Sequence, residues 1–431
     1  MTADTTIPTE TRVPVVEARP GVRNLAIGMA IAALACLLLG LGAGGSGRSS
    51  LRLDSANDFF ALPVLTAPTT ATSIALGVLV LLAAAYVVAR RPIGRTRTLL
   101  TWWAVLAVII SFLLWAGSGD PNSQLDAIGL LQATVFLAVP LVLGAMAGTV
   151  SERSGIINVA IEGQMLAAAF LAALVGTVAH NLVAGTVAGV VAGVLVGALL
   201  GSFAIRYQVN QVVLGVVINL LVLGLTTYLY SRLLQQDSAG LNQPGTFKPI
   251  AIPVLSRIPL IGPVLFEANV LVYLAAVVVA VLNVMLWRSR WGLRTRAVGE
   301  HPRAADTLGI NVNRLRFRNS LLAGGIAGLA GAYISIGSVG GFGINMTSGR
   351  GFIALAAVIF GRWTPLGSMG AAILFAFSSA LNTALSFIGT PIDIPSQILG
   401  SLPYLVTLLV VAGVVGRTQA PANDGVPYSG R

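Results

Sequence analysis

Apolar runs recur along this chain, all but one about as long as a helix must be to cross a lipid bilayer. A bilayer core needs about 20 apolar residues per helix, and runs of that order occupy roughly 25–43, 71–89, 98–116, 128–149, 159–179, 182–204, 212–233, 269–287, 319–337, 351–361, 367–387 and 400–416. One stretch between them, Arg288–Arg318, holds eight arginines against only Glu300 and Asp306. Loops beside membrane spans that carry such an excess of Arg stay on the cytoplasmic side, because translocating them is unfavourable. Threading the runs alternately from an inside N-terminus places Arg90, Arg91, Arg95, Arg97, Arg206, Arg362 and Arg417 on that same side. The Arg-poor loops 117–127, 180–181 and 388–399 fall outside, as does the proline-containing segment 234–268. The expected fold is therefore an all-α polytopic membrane bundle of about 12 (10–12) helices, with both termini cytoplasmic.

Composition agrees with this reading and closes several others. The chain is 56% hydrophobic and 10% charged, whereas a soluble domain carries roughly 25% charged residues. Of the net charge of +11, the Arg288–Arg318 stretch alone supplies +6, so the basic balance is topogenic and does not indicate a nucleic-acid partner. Cys36 is the single cysteine and can form no intrachain disulfide; His180 and His301 are the only histidines. No His/Cys/carboxylate group has metal-ligand spacing, and neither a metal nor a cofactor is expected. Lys248 follows Gly245-Thr246-Phe247 and does not complete a G-x-x-x-x-G-K-[ST] phosphate loop, so nucleotide-driven work has to come from another chain. No paired carboxylates or nucleophile–base sets suggest covalent chemistry.

The organisation reads as a tail over 1–24, an N-terminal extension with three spans over 25–124, a core over 125–416 and a second tail over 417–431. The run Leu25–Ala43 is too long for the core of a cleaved signal peptide and is taken as the first span. Two places do not resemble plain spans. The run 351–361 is short and ends in Gly361-Arg362-Trp363-Thr364-Pro365; it is either half of a broken helix or a short tilted helix with a tight cytoplasmic turn. The segment Ser151–Gly163 sets Glu152, Arg153, Asn158 and Glu162 between and within apolar runs. Broken helices of this kind line transport sites. Small-residue stripes, Gly185/Gly189/Gly193/Gly197 and Gly324/Gly328/Ala332, suit close helix packing within one bundle.

Glu162 has two readings. A charge at membrane depth costs at least ~2.5–3.5 kcal/mol on insertion scales, so it faces either a structural partner or the solute path. A place near the cytoplasmic interface, with Arg153 as partner or as a first-turn carboxylate complementing a helix dipole, is one reading; lining or gating the path is the other. Asn158 falls near the same helix start, where Asn caps well.

Three segments carry a family resemblance. Glu152–Met165 (Glu152-Arg153-Ser154-Gly155-Ile156-Ile157-Asn158 through Glu162-Gly163) resembles the E-R-S-G-I-I-N-[LIV]-x-[LIV]-E-G run of permease subunits from bacterial ABC importers for nucleosides and simple sugars. Val298–Ile310, with Gly299-Glu300-His301-Pro302-Arg303-Ala304-Ala305 and Gly309-Ile310, is similar to their cytoplasmic G-[EN]-[NS]-P-x-A-A-x-x-x-G-I segment. Gly351–Trp363 resembles a third run, G-[FY]-x-x-[IL]-A-[VA]-x-x-x-G-x-W. The resemblance covers about 125–416. His301 stands where the family commonly has Asn, and the extension over 1–124 is longer than the usual family N-terminus.

The resemblance implies a type II ABC importer-like architecture in the bacterial cytoplasmic membrane. Its partners would be a cytoplasmic ATPase, a second permease in a heterodimer and an extracytoplasmic substrate-binding lipoprotein. The cargo would be a nucleoside first and a simple sugar second. Read physically, Pro302 favours a first helical turn, Gly299-Glu300 before it offer a helix start, and Gly309 suits its stop. The resulting helix of about two turns would be the coupling helix, with Gly299, Glu300, Pro302, Arg303, Ala304, Ala305 and Gly309 docking the ATPase. Asn158, Glu162, Gln132, Asn219 and Asn382 are candidates for the translocation path, with Ser378, Ser379 and Thr383 beside them. Each could instead hydrogen-bond across helices. A proton- or sodium-driven secondary transporter built around Glu162 is the competing reading, and an integral-membrane enzyme a remote third.

Overall fold

The computed structural model describes residues 21–43, 48–52, 59, 65–92, 94–118, 124–388, 401 and 419–429. Its helices in chain order are α1 (Gly21–Leu41), α2 (Thr69–Arg90), α3 (Arg95–Ala116), α4 (Ala127–Glu152), α5 (Ile161–Val178), α6 (Leu182–Arg206), α7 (Gln211–Leu229), α8 (Ser238–Leu241), α9 (Ile261–Leu265), α10 (Val270–Arg288), α11 (Arg290–Glu300), α12 (Pro302–Thr307), α13 (Val312–Ala332), α14 (Arg350–Phe360) and α15 (Pro365–Ile388). Among the described residues, nine helices are long and apolar enough to cross a membrane, so the chain is a polytopic helical membrane protein. Of the twelve expected runs, the Leu25–Leu41 part of α1 and α14 are apolar but count as shorter, and 400–416 lies outside the described residues save Ser401.

Local chemistry starts most of these helices. Asp126, Asn181, Asn210, Asn269, Ser289 and Asn311 each accept a backbone N–H of the first turn, for α4, α6, α7, α10, α11 and α13 respectively. A side-chain oxygen there satisfies an amide that has no intrahelical partner. Inside α4, Pro140 cannot donate to the carbonyl of Phe136 four residues back. The Tyr333 hydroxyl donates to that carbonyl at 3.1 Å, where α13 passes into a π-helical stretch over Tyr333–Val339. A second π-helical turn, Tyr230–Leu234, extends α7.

The centre of the bundle is α5 and the Val312–Val339 span, 72% and 78% buried, against 28% for α2, α6 and α10. The outer helices turn Val191, Leu195, Leu220 and Val277 outward, as suits contact with lipid. The two glycine stripes meet each other: Gly189, Gly193 and Gly197 of α6 press on Ala332, Gly328, Gly324 and the Ser320 carbonyl of α13. The extension α1–α3 closes its own core around Met29, Cys36, Val80, Val87 and Ala107. It joins the rest through Trp115 and Leu39 against Leu130, Ala380 and Leu385.

The purely helical expectation needs correction. Strand β1 (Arg48–Arg52) pairs antiparallel with β2 (Leu65–Pro68) and parallel with β3 (Gln124–Asp126), tying the extension to the start of α4. A two-residue pair, β4 (Ile250–Ala251) with β5 (Glu267–Ala268), folds the 234–268 segment. Strands of two to five residues are too short for alternation to mark them in a sequence.

Candidate translocation and coupling site

The three motifs, up to 211 residues apart in sequence, come together in the fold. Trp363 Nε1–H donates to Glu152 Oε2 at 2.5 Å. Arg153 is the hub: its Nε donates to the Trp363 carbonyl at 2.8 Å and its Nη2 to the Arg362 carbonyl at 3.1 Å. Its Nη1 also stands 3.9 Å from Glu300 Oε1. Arg362 and Trp363 both adopt left-handed backbone, φ +54° and +52°, a region that costs non-glycine residues of order 1–3 kcal/mol each. Arg153 thus holds a strained turn between α14 and α15. Two guanidiniums approach the Trp287 ring, Arg296 at 4.7 Å and Arg153 at 5.7 Å from its centroid. An ion pair with Arg153 is one of the roles the sequence offers Glu162; in the structure Arg153 stands by Glu300 instead.

Glu162 sits elsewhere and deeper. A methyl at Gly144 would touch Ala354, and one at Gly148 would touch Val358, so α14 runs beside the last turns of α4 in the same direction. Gly351 is then level with a point about 11 residues, or ~16 Å, above the Glu152 end of α4, roughly half the hydrocarbon thickness. There Glu162 receives three hydrogen bonds: from Thr347 Oγ1 at 2.6 Å, Gly349 N–H at 2.8 Å and Gly351 N–H at 2.6 Å. The residue preceding α14 is Gly349, which has no side chain to cap it. The carboxylate of another helix therefore fills the cap, and it complements the dipole of α14 rather than that of its own helix. The run 351–361 is thus an 11-residue half-helix, entered through the irregular stretch 340–349 and closed by the tight turn at 361–364.

The irregular stretch 153–160 is satisfied by side chains, as backbone at membrane depth must be. Gln211 Oε1 accepts the Ile157 N–H, Asn219 Oδ1 accepts the Gly163 N–H, and Asn219 Nδ2 donates to the Val159 carbonyl. Asn158 does not cap α5, which begins at Ile161 after Ala160. Its Nδ2 donates to Gln164 Oε1, while its Oδ1 is buried without a partner. The path candidates do not converge on one pocket. Gln132 is at the opposite end of α4, donating to the Pro263 carbonyl. Asn382 is half-buried on α15, where the hydroxyls of Ser379 and Thr383 bond back to their own helix. Gln132 also lines a cavity of about 430 Å³ with Phe136, Phe247, Glu267 and Ser338.

On the Arg-rich side, α12 starts with Pro302 at its first position and stops before Gly309, φ +78°. Gly299 and Glu300 do not open it: they end α11, a helix that sequence reading left as loop, and His301 stands between. The buried residues of α11 are Gly292, Thr295, Val298 and Gly299, too few apolar groups to mark a helix among so many arginines. Gly299 lies against the Arg153 carbonyl, where no Cβ would fit. α13 begins at Val312, so Arg314, Arg316 and Arg318 belong to a helix. Arg316 is buried and donates to the carbonyls of Ser154, Val426 and Asn423. Beside it, burial pushes the Asp424 carboxyl up to about 7, against the opposing pull of the Arg316 guanidinium.

Comparison with known proteins fits this geometry. The family described as the branched-chain amino acid transport system, permease component, matches residues 130–413. The guanosine ABC transporter permease protein NupQ of Bacillus subtilis is 36% identical over 308 residues, 69% of this chain and 96% of that protein. The nucleoside ABC transporter permease protein NupC of Lactococcus lactis subsp. cremoris is 38% identical over 303 residues, 68% and 93% of the two chains. The putative glucose ABC transporter permease protein TsgC13 of Haloferax volcanii is 35% identical over 310 residues, 68% and 94%. No solved structure matches. With its nine long apolar helices, its three convergent motifs and a match over most of its length, this chain belongs to the permease-component family of branched-chain amino acid-type transport systems.

Proposed function

We propose that the chain is one of two different permease subunits of an ATP-driven importer for nucleosides, with simple sugars as the second substrate class. In this reading it crosses the bacterial cytoplasmic membrane twelve times with both termini inside. It works with a cytoplasmic ATPase, a second permease and an extracytoplasmic substrate-binding lipoprotein. The observation that carries it is the continuous linkage from the Arg-rich side to the bundle centre. Motion of α11 and α12 reaches Arg153 through Glu300, passes to the 361–364 turn, and from there moves α14 against Glu162. ATP binding by the partner would drive that motion, and the bundle would alternate between outward- and inward-facing states. The likeness to two nucleoside permeases supports the nucleoside, and the glucose permease keeps sugars as the second class.

An ion-coupled carrier fits less well, because Glu162, the carboxylate it would use, is already held by three donors. Proteoliposomes decide between the two. With the ATPase, second permease, binding protein and internal ATP, labelled guanosine should accumulate; the chain alone under a proton or sodium gradient should show no uptake. Replacing Gly299–Ala305 by a flexible Gly/Ser stretch should abolish co-purification of the ATPase while leaving the chain in the membrane. Normal ATPase yield from that variant would remove the coupling role.

Gln132 is assigned to the outer mouth of the path, where its amide offers both a donor and an acceptor beside the rings of Phe136 and Phe247. Gln132→Leu should lower uptake several-fold at unchanged ATPase content. Equal uptake would take the residue out of the path.

A further inference from the structure

The coupling helix is a small object to receive force. α12 has six residues, of which Pro302 and Ala305 are buried, and it rests on a cluster of Val298, Ala305 and Val312. A second segment lies on the same side and reinforces it. Residues 421–428 run over the ends of α4, α11 and α12. Asn423 N–H donates to the Gly299 carbonyl at 2.9 Å and Asn423 Nδ2 to the Glu300 carbonyl at 2.6 Å. Ala422 N–H donates to Glu300 Oε2 at 3.1 Å, and Gly425 N–H to the Gly155 carbonyl at 3.3 Å. Tyr428 packs on the apolar cluster and donates from its hydroxyl to Asp306 Oδ2 of α12 at 2.8 Å. Buried Arg316 ties the segment to the bundle through the carbonyls of Val426 and Asn423.

Two apolar side chains stand out of this joint surface. Leu308, just past α12, is 81% exposed, and Val426 is 48% exposed. The exposed charges of α12 and the first turns of α13 are Arg303, Asp306, Arg314 and Arg318, and the Asp306 carboxylate already accepts from Tyr428. Exposed apolar groups beside a net basic surface suit a partner with an apolar seat and an acidic border.

Taking α12 as the ATPase-coupling helix, we infer that the C-terminal segment 421–428 is the second half of the ATPase-docking surface. The partner it fits is that same ATPase, with an apolar seat for Leu308 and Val426 bordered by acidic side chains. The segment adds area to a helix too short to hold a partner alone, and ties the docked ATPase to α4 and α13 as well as to α12. Pulling on the segment would load Gly155 and Arg316 directly, in parallel with the route through Glu300 and Arg153.

Photo-crosslinking in the assembled transporter tests this. A benzoylphenylalanine placed at position 426 leaves intact the backbone carbonyl that Arg316 binds, and a second variant carries the same group at position 308. Both positions should give an adduct with the ATPase subunit after illumination. An adduct from 308 without one from 426 would overturn the docking role of the segment and leave the α12 reading standing. Adducts from neither would overturn both. Val426→Asp gives an independent readout: ATPase co-purification should fall at least tenfold, whereas an unchanged yield counts against the segment.

Discussion

Replacing Gly193 by valine is expected to eliminate folded permease from detergent extracts. A methyl at that position would overlap the Gly324 carbonyl and fall 2.6 Å from the Gly328 Cα. These are backbone atoms of α13, so no rotamer change relieves the contact and the two helices have to move apart. Overpacking a core costs typically about 1–3 kcal/mol and occasionally more; a backbone collision between α6 and the central span α13 belongs at the upper end. The same separation would strip Ser320 of its hydrogen bond to the Gly197 carbonyl, 2.8 Å in the native packing. Gly224 on α7 is the control, because nothing lies within 4 Å of a Cβ there. Gly224→Ala should therefore be neutral or slightly stabilising, since glycine in a helix costs about 0.5–1 kcal/mol relative to alanine. Monodisperse yield by size-exclusion chromatography checks both, and normal yield from Gly193→Val would disprove the tight crossing.

The second large effect belongs to Glu162. Glu162→Ala leaves the Gly349 and Gly351 amides and the Thr347 hydroxyl without their acceptor inside the bundle. An orphaned buried donor costs about 1–3 kcal/mol, so the start of α14 should come loose. The expected result is at least a tenfold fall in uptake with a lowered melting temperature. Co-purification of the ATPase should persist, because α12 lies at the other end of the linkage. Glu162→Gln is the sharper probe. Its oxygen can still serve Thr347 and Gly349, but its amide group meets the Gly351 N–H donor to donor, so an intermediate loss is expected. Wild-type uptake and melting by Glu162→Gln would show that an uncharged acceptor suffices at the head of α14. Loss of ATPase binding in either variant would contradict the order of the linkage.

The long spans were legible because a bilayer sets their length. The three motifs were legible too, as contiguous strings such as Glu152–Gly155 and Gly351–Trp363. Their convergence was not: that Trp363 meets Glu152 depends on how α14 folds back along α4, and spacing along the chain does not encode it. Of the two readings that the sequence leaves to Glu162, a place near the interface follows from its opening a helix, yet that helix begins inside the bundle after the irregular 153–160 stretch. Pro302 and Gly309 announced α12, while α11 stayed hidden because its buried face is Gly292, Thr295 and Val298 amid arginines. The docking of 421–428 left no trace in composition, since most of its bonds use backbone amides and carbonyls that every residue carries.

Trp287 offers a practical consequence. An indole with two guanidiniums near its ring emits differently from one that has lost either neighbour, and here one neighbour is on α11 and the other just past α4. The difference in emission between the native chain and a Trp287→Phe variant would report in real time whether those two elements slide apart when nucleotide is added. The molecule thus comes with an optical gauge at the junction between α11 and the end of α4.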